Sequence, residues 1–252
     1  MVLHGDSFDV ANKYAIQRAA EDGMSFIPPY DDELVMAGQG TIGNEILRQW
    51  RDVDYVFVAV GGGGLIAGVA AYLGDVAPHV KVIPVEYDES ACLKAAFEAG
   101  ERVVLPQVGL FADGTAVAQI GEKPFEVIQL QKSDNSGPIV EREVVLVNTD
   151  EICAAIKDTY DECRSIVEPS GAMALAGIKK YVEKHELIGQ NIVSIVCGAN
   201  MNFDRLRYIA ERTELGERKE AIFAVTIPEK KGSFLNFCRA LPVSYTHLTL
   251  PT

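Results

Sequence analysis

The sequence predicts an α/β protein, a parallel sheet flanked by helices, followed by the start of a second, smaller α/β domain. Three observations carry this. Short apolar runs rich in β-branched residues, Tyr55–Val60, Val80–Glu86 and NIVSIVC, read as buried strands. Amphipathic stretches of helical period separate the strands, the pattern of strand–helix–strand crossovers. The run YVFVAVGGGGLIAG stops a strand at four glycines and starts a small-residue helix at once.

The elements follow in order. After Asp6-Ser7, a pair suited to N-capping, FDVANKYAIQRAAEDG is an amphipathic helix ended by Gly23. MSFIPPYDD is expected as a short strand running into a proline turn. A helix from about Asp32 to Trp50 is expected to break at AGQGT (Ala37–Thr41). Leu65–Leu73 is the helix after the glycines, and SACLKAAFEAG and PFEVIQLQK are two more. KSDNSGPIVERE (Lys132–Glu143) is a polar loop. EVVLVN is a strand, and Thr149-Asp150 is expected to cap the helix after it. EPSGAMALAGIKKYVEKH is a long helix, and GANMNFDRLRYIAE turns into another after NIVSIVC. EAIFAVTIPEKKGSFLNFCRAL then reads as strand, polar turn and helix. SYTHLTLPT fits neither unit and reads as a non-native tail.

Composition narrows the function. With 252 residues, 48% hydrophobic and 23% charged, the chain can bury a sizeable core. A net charge of −13 argues against nucleic-acid and anionic-membrane partners, which reward basic surfaces. Five cysteines without a CxxC spacing read as reduced thiols of a cytoplasmic protein. Four scattered histidines and no HExxH argue against a zinc site. No apolar run is long enough to span a bilayer, and no targeting pattern is present.

Four residues without side chains between strand and helix suit an anion held by backbone N–H groups at a helix N-terminus. A nucleoside-triphosphate loop needs GxxxxGK[ST], and Gly63 to Gly68 is followed by Val69-Ala70, so that reading fails. Gly62 to Ala67 satisfies the dinucleotide fingerprint GxGxxG/A, with Glu86 ending the next strand, but Gly61 is then unexplained. Tight strand–helix packing alone is a second reading. A single phosphate monoester wrapped by successive amides is a third.

AGQGT, VAVGGGGLIAG, VEYDESACLKAA, GLFADGTAV, VEPSGAMALAG, VCGANMNFD and ELGERKEAIFAVTIPE stand in this order along nearly all of the chain, to about Leu241. The ordered set resembles the biosynthetic threonine dehydratases (threonine ammonia-lyases), lyases of pyridoxal-phosphate fold type II with a tryptophan-synthase-β-like fold. The resemblance implies pyridoxal 5′-phosphate as cofactor, its phosphate cradled by Gly61, Gly62, Gly63, Gly64 and Leu65. It implies Cys197 as the partner of the pyridine nitrogen, where a weakly acidic thiol leaves the ring neutral. Read without it, Cys197 is a small buried hydrophobe. AGQGT and FADGT become substrate loops, with Gly38, Gln39 and Gly114 as candidates. Asp113 and Glu168 are candidates for a catalytic role, although Asp113 also suits a turn and Glu168 a helix start. Glu86 resembles a cation-ligand position of related serine-acting enzymes, but Cys92 stands where a second acidic ligand is expected, so no metal is predicted.

The resemblance also implies the domains and the reaction. Residues 1–215 correspond to the later part of a catalytic domain, 216–243 to the start of an ACT-like regulatory domain, and 244–252 to the tail. The reaction is deamination of L-threonine, or of serine, to a 2-oxo acid and ammonia, the first step of isoleucine biosynthesis. Isoleucine is the effector of the full-length parent, and a homo-oligomer, a tetramer in the family, is implied. A catabolic serine/threonine dehydratase or a serine racemase is the alternative within the family, and an NAD-binding domain or a non-catalytic remnant outside it. The family's reactive lysine, in an SFKxR-type motif, and its SxGNHAQG-type loop have no counterpart here. The chain alone is therefore expected to be an inactive fragment, cytoplasmic or organellar.

Overall fold

In the computed structural model, which describes residues 2–130, 132–133, 137–217, 219 and 225–240, the first apolar run becomes β1 (Tyr55–Ala59). It pairs in parallel with β2 (Lys81–Tyr87) on one side, Tyr55 opposite Lys81. On the other side lies the strand Ile192–Ser194, with Tyr55 opposite Ile192. A short strand Val145–Val147 extends the sheet beyond β2. A separate two-stranded antiparallel pair, β3 (Lys132–Ser133) and β4 (Gly137–Pro138), lies in the polar loop. Val145–Val147 is thus β5 and Ile192–Ser194 is β6. The main sheet runs β5-β2-β1-β6.

The strands are apolar on both faces because both faces are covered. Val56 and Val58 of β1 point into a core shared with Ile66, Val69 and Leu73 of α3 (Gly64–Val76) and Ile128 of α5 (Glu122–Leu130). Phe57 and Ala59 point the other way, against Ala172, Met173 and Ala176 of α7 (Pro169–His185) and Ile152 and Ile156 of α6 (Thr149–Cys163). Phe57 meets Tyr181 edge-on, with ring centroids 5.3 Å apart. Helices α1 (Phe8–Glu21), α2 (Glu33–Gln49), α4 (Cys92–Ala99) and α8 (Arg205–Gly216) complete this unit.

Four local expectations are corrected. Helix α2 does not break at AGQGT but runs through it, and of its two glycines Gly40 serves contact rather than a turn. A Cβ on Gly68 of α3 would lie 2.1 Å from the Met36 carbonyl oxygen and 2.9 Å from the Gly40 nitrogen. The helix propensity lost at Gly40 is offset by that backbone approach. MSFI forms no strand among the described residues. Pro28 and Pro29 offer no N–H to a ladder, and the segment instead carries Tyr30 to the glycine loop. The cap of α6 is Asn148, one residue before the expected pair, and it forms a capping box with Glu151 (2.9 and 2.8 Å). The NIVSIVC strand is shorter than its apolar run, although Ile195 N still donates to Phe57 O at 3.2 Å.

The chain divides into two compact units, Met1–Lys219 and Glu220–Thr252. In the second, helix α9 (Ser233–Ala240) follows a polar turn. Most of the strand expected before it, and the tail, lie outside the described residues. No helix among the described residues is long and apolar enough to cross a membrane.

Candidate functional site

β1 connects onward to β2 on one side, while β6 on its other side is reached from β5 by a crossover past β2 and β1, so the strand order reverses beside β1. In parallel α/β sheets ligands settle at such a switch point, outside the carboxyl ends of the strands. A cavity of about 380 Å³ lies there, within the range of small-ligand sites. Gly61, Gly62, Gly63, Gly64 and Leu65, after β1, form one side of its lining, and Cys197, after β6, belongs to the other. Gln39, Asp113, Gly114 and Glu168 also line it. The structure therefore brings every candidate except Gly38 to one surface. Gly38 is exposed on α2, with nothing near its Cβ position.

Each of the four glycines has its own reason to lack a side chain. A Cβ on Gly61 would lie 2.9 Å from the Thr115 Cα, and one on Gly62 would lie 2.3 Å from the Tyr30 ring. A Cβ on Gly64 would strike the Tyr30 backbone at 2.9 Å. Gly63 has φ +89°, a left-handed conformation that costs glycine little. Close packing is thus part of the answer, but the hydrogen bonds show a second part. The Gly61 carbonyl accepts from the Cys92 thiol at 3.4 Å, and the Gly62 carbonyl accepts from Gly121 N at 3.0 Å. Both carbonyls are engaged by protein. Among the described residues no protein acceptor takes the amides of Gly61 to Leu65. The loop leads into α3, whose first-turn N–H groups and dipole favour an anion. A phosphate group fits these donors.

Glu86 does not suit a ribose. It is fully buried, and its two oxygens accept the N–H groups of Leu93 (2.7 Å) and Lys94 (2.9 Å) at the start of α4. Burial pushes its carboxyl up to about 7, against these stabilising bonds. The dinucleotide reading therefore loses its acidic partner.

The opposite side is more polar. Cys197 is reached from the cavity, and its thiol lies 3.5 Å from the Ser170 carbonyl. Burial of the sulfur, and secondarily the Glu168 charge, push this thiol up to about 11, so it is protonated at neutral pH. Glu168 is the N-cap of α7 and precedes Pro169 at N1, yet its side chain does not cap that helix. It turns to accept Asn200 N at 3.0 Å, beside Gly198, where a Cβ would lie 2.1 Å from the carboxylate. Asp113 opens the short 3-10 turn Asp113–Thr115, is exposed, and pairs with Arg205 at 3.3 Å.

Sequence reasoning missed Tyr30, Thr115 and Ser170, which also line the cavity. Thr115 Oγ1 lies 3.3 Å from Ser170 Oγ and donates to Ala112 O at 3.0 Å. Both residues sit inside quoted motifs, FADGT and EPSG, so motif membership was a usable signal. Tyr30 had none beyond a proline turn. Of the lysines weighed, Lys13 is exposed, Lys94 pairs with Glu98, and Lys157 pairs with Asp161 (2.7 Å) and Glu217 (3.1 Å). No lysine is among the described residues lining the cavity.

Comparison with known proteins gives the family. Residues 1–198 match the family model described as pyridoxal-phosphate dependent enzyme. The biosynthetic L-threonine dehydratase of Salmonella typhimurium is 50% identical over 241 residues, 96% of this chain and 45% of that protein. The mitochondrial threonine dehydratase of Schizosaccharomyces pombe is 52% identical over 238 residues, 93% of this chain and 38% of that one. The chain thus spans less than half the length of these relatives. Among solved structures, processed threonine deaminase isoform 2 from Solanum lycopersicum superposes with a TM-score of 0.78 at 46% identity, covering 85% of this chain and 56% of that chain. Maize serine racemase superposes at 0.71 with 26% identity, covering 84% and 63%.

Proposed function

We propose that this chain, which belongs to the pyridoxal-phosphate-dependent enzyme family, serves the deamination of L-threonine to 2-oxobutanoate and ammonia. One observation carries the reading. A single cavity joins the glycine loop, Cys197, Glu168 and Asp113 within a chain 50% identical to biosynthetic threonine dehydratases. The place in isoleucine biosynthesis, an isoleucine effector, a homo-oligomer and a cytoplasmic or organellar location belong to the same proposal.

The bound cofactor supplies an electron sink for negative charge at the substrate Cα. The chain's own residues do the rest of what is proposed here. The amides of the Gly61–Leu65 loop and the N-terminus of α3 hold the phosphate without a basic side chain. This suits a chain of net charge −13, whose overall field repels anions. The Cys197 thiol, held protonated at neutral pH, would offer the pyridine nitrogen a hydrogen bond rather than a full proton. Thr115 and Ser170 offer hydroxyls beside it. Asp113, Glu168 and Gln39 orient the substrate's ammonium and hydroxyl groups. With no lysine among the described residues lining it, this cavity would hold the cofactor through the residues above, and its described lining offers neither a covalent anchor nor a lysine base for the α-proton.

The test is calorimetry of the chain with pyridoxal phosphate and, separately, NAD, followed by assay for 2-oxobutanoate from threonine. Binding of pyridoxal phosphate alone, with no 2-oxobutanoate, is expected. Tight NAD binding without pyridoxal phosphate would overturn the reading, and turnover of threonine would mean that a lysine elsewhere in the chain reaches the cavity.

A further inference from the structure

We propose that Cys92 and Glu86 are positioning residues for the phosphate end of the cavity, acting from behind the glycine loop to aim the Gly62 amide. The inference rests on the pyridoxal-phosphate reading and names residues that touch neither cofactor nor substrate.

The argument starts from the peptide bond. In a trans peptide the C=O of one residue and the N–H of the next point in opposite directions. Whatever grips the Gly61 carbonyl therefore aims the Gly62 N–H away from the grip. The grip is the Cys92 thiol, fully buried on the side remote from solvent. Glycine has no side chain to resist rotation of this peptide, so an outside restraint matters more here than at other residues.

Cys92 is in turn held in place. It is the first residue of α4, and no side-chain bond caps that helix from its own N-cap, Ala91. Glu86 takes over, reaching from the end of β2 to accept the N–H groups of Leu93 and Lys94. A carboxylate completely removed from water fixes the helix start, and with it the thiol. Burial, the neighbouring Glu86 charge and a hydrogen bond to the Glu86 side chain push the Cys92 thiol far up, so it stays protonated, its one proton held between the Gly61 carbonyl and the Glu86 carboxyl. The same environment makes it a poor nucleophile, which leaves positioning as its chemistry. β1 and β2 are thereby joined at their carboxyl ends by polar bonds as well as by the sheet ladder.

The experiment uses the full chain, unsubstituted and as Cys92→Ala, Cys92→Ser and Glu86→Gln, titrated with pyridoxal phosphate and with pyridoxal, which lacks the phosphate. Thermal melts and far-UV circular dichroism check folding. Cys92→Ala should weaken pyridoxal phosphate about three- to tenfold, the size of one neutral hydrogen bond, and leave pyridoxal within about twofold. Cys92→Ser should recover most of the loss, because a hydroxyl can donate to the same carbonyl. Glu86→Gln should show the same phosphate-selective weakening. If Cys92→Ala does not fold, the serine and glutamine variants carry the comparison. Equal weakening of both ligands, or none in any folded variant, would overturn the inference alone. An unsubstituted chain that binds no pyridoxal phosphate would overturn the functional reading and this inference with it.

Discussion

The two sides of the cavity are built on different principles. The glycine side is backbone, buried, tied through its carbonyls by Cys92 and Gly121, and packed against Tyr30. The facing side is side chains, with Asp113 exposed, Glu168 half-buried and Cys197 open to the cavity. A phosphate has one shape and one charge sign, so a rigid set of amides recognises it at little entropic cost. An amino-acid substrate enters, reacts and leaves, and polar groups near solvent can adjust to each stage. Rigidity is concentrated where the ligand does not change.

The strongest way to break this contrast is to add one methyl group on each side. Gly62→Ala places a Cβ 2.3 Å from the Tyr30 ring in a buried loop. It should destabilise the fold by about 2–3 kcal/mol and remove measurable pyridoxal phosphate binding. Gly114→Ala meets Ser170 at 3.0–3.2 Å at an exposed position, and should cost less than about 1 kcal/mol with binding retained. Urea melts and calorimetry on both variants decide. Similar losses from the two would erase the distinction between the sides.

A second way is pH, because the acid behind the glycine side is buried and those opposite are not. The folded Glu86 carboxyl, raised by desolvation to about 7 from 4.5, binds a proton more tightly than the unfolded chain does. Its contribution to stability is fully present below about 4.5 and is lost as pH rises through about 7. The size is of order 3 kcal/mol at most, since each tenfold gain in proton affinity is worth about 1.4 kcal/mol. Melting temperatures recorded from pH 5 to 8 should fall less steeply for Glu86→Gln than for the unsubstituted chain. Identical slopes would show that Glu86 ionises as it would in water.

The smallest effect is expected at the cavity mouth. Asp113→Asn removes the charge of an exposed pair with Arg205, and should change stability by no more than about 0.5 kcal/mol. A larger loss in urea melts would mean that this side is as preorganised as the glycine side.

What could be read from the sequence follows the range of each interaction. β1 and β2 were legible because an apolar run covered on both faces shows in its own composition. The glycine loop was legible because the strand, the turn and the helix start are adjacent in the chain. Helix α2 was misread at AGQGT, since the reason for Gly40 lies far along the chain, at Gly68. The same holds for Tyr30, whose partners Gly62 and Gly64 lie across a helix and a strand. Cys197, Glu168 and Asp113 were picked out by motif, but the cavity they share is a product of strand order.

The contact between Gly40 and Gly68 bears on how the molecule breathes. Helices whose backbones touch at one crossing are harder to slide past each other by a rotamer change. They must open together or remain closed, as one cooperative unit in amide exchange. Helix α3 begins at the anion seat, and one turn further on, at Gly68, it is held by α2. The seat therefore draws its permanence from a helix pair as well as from its own loop.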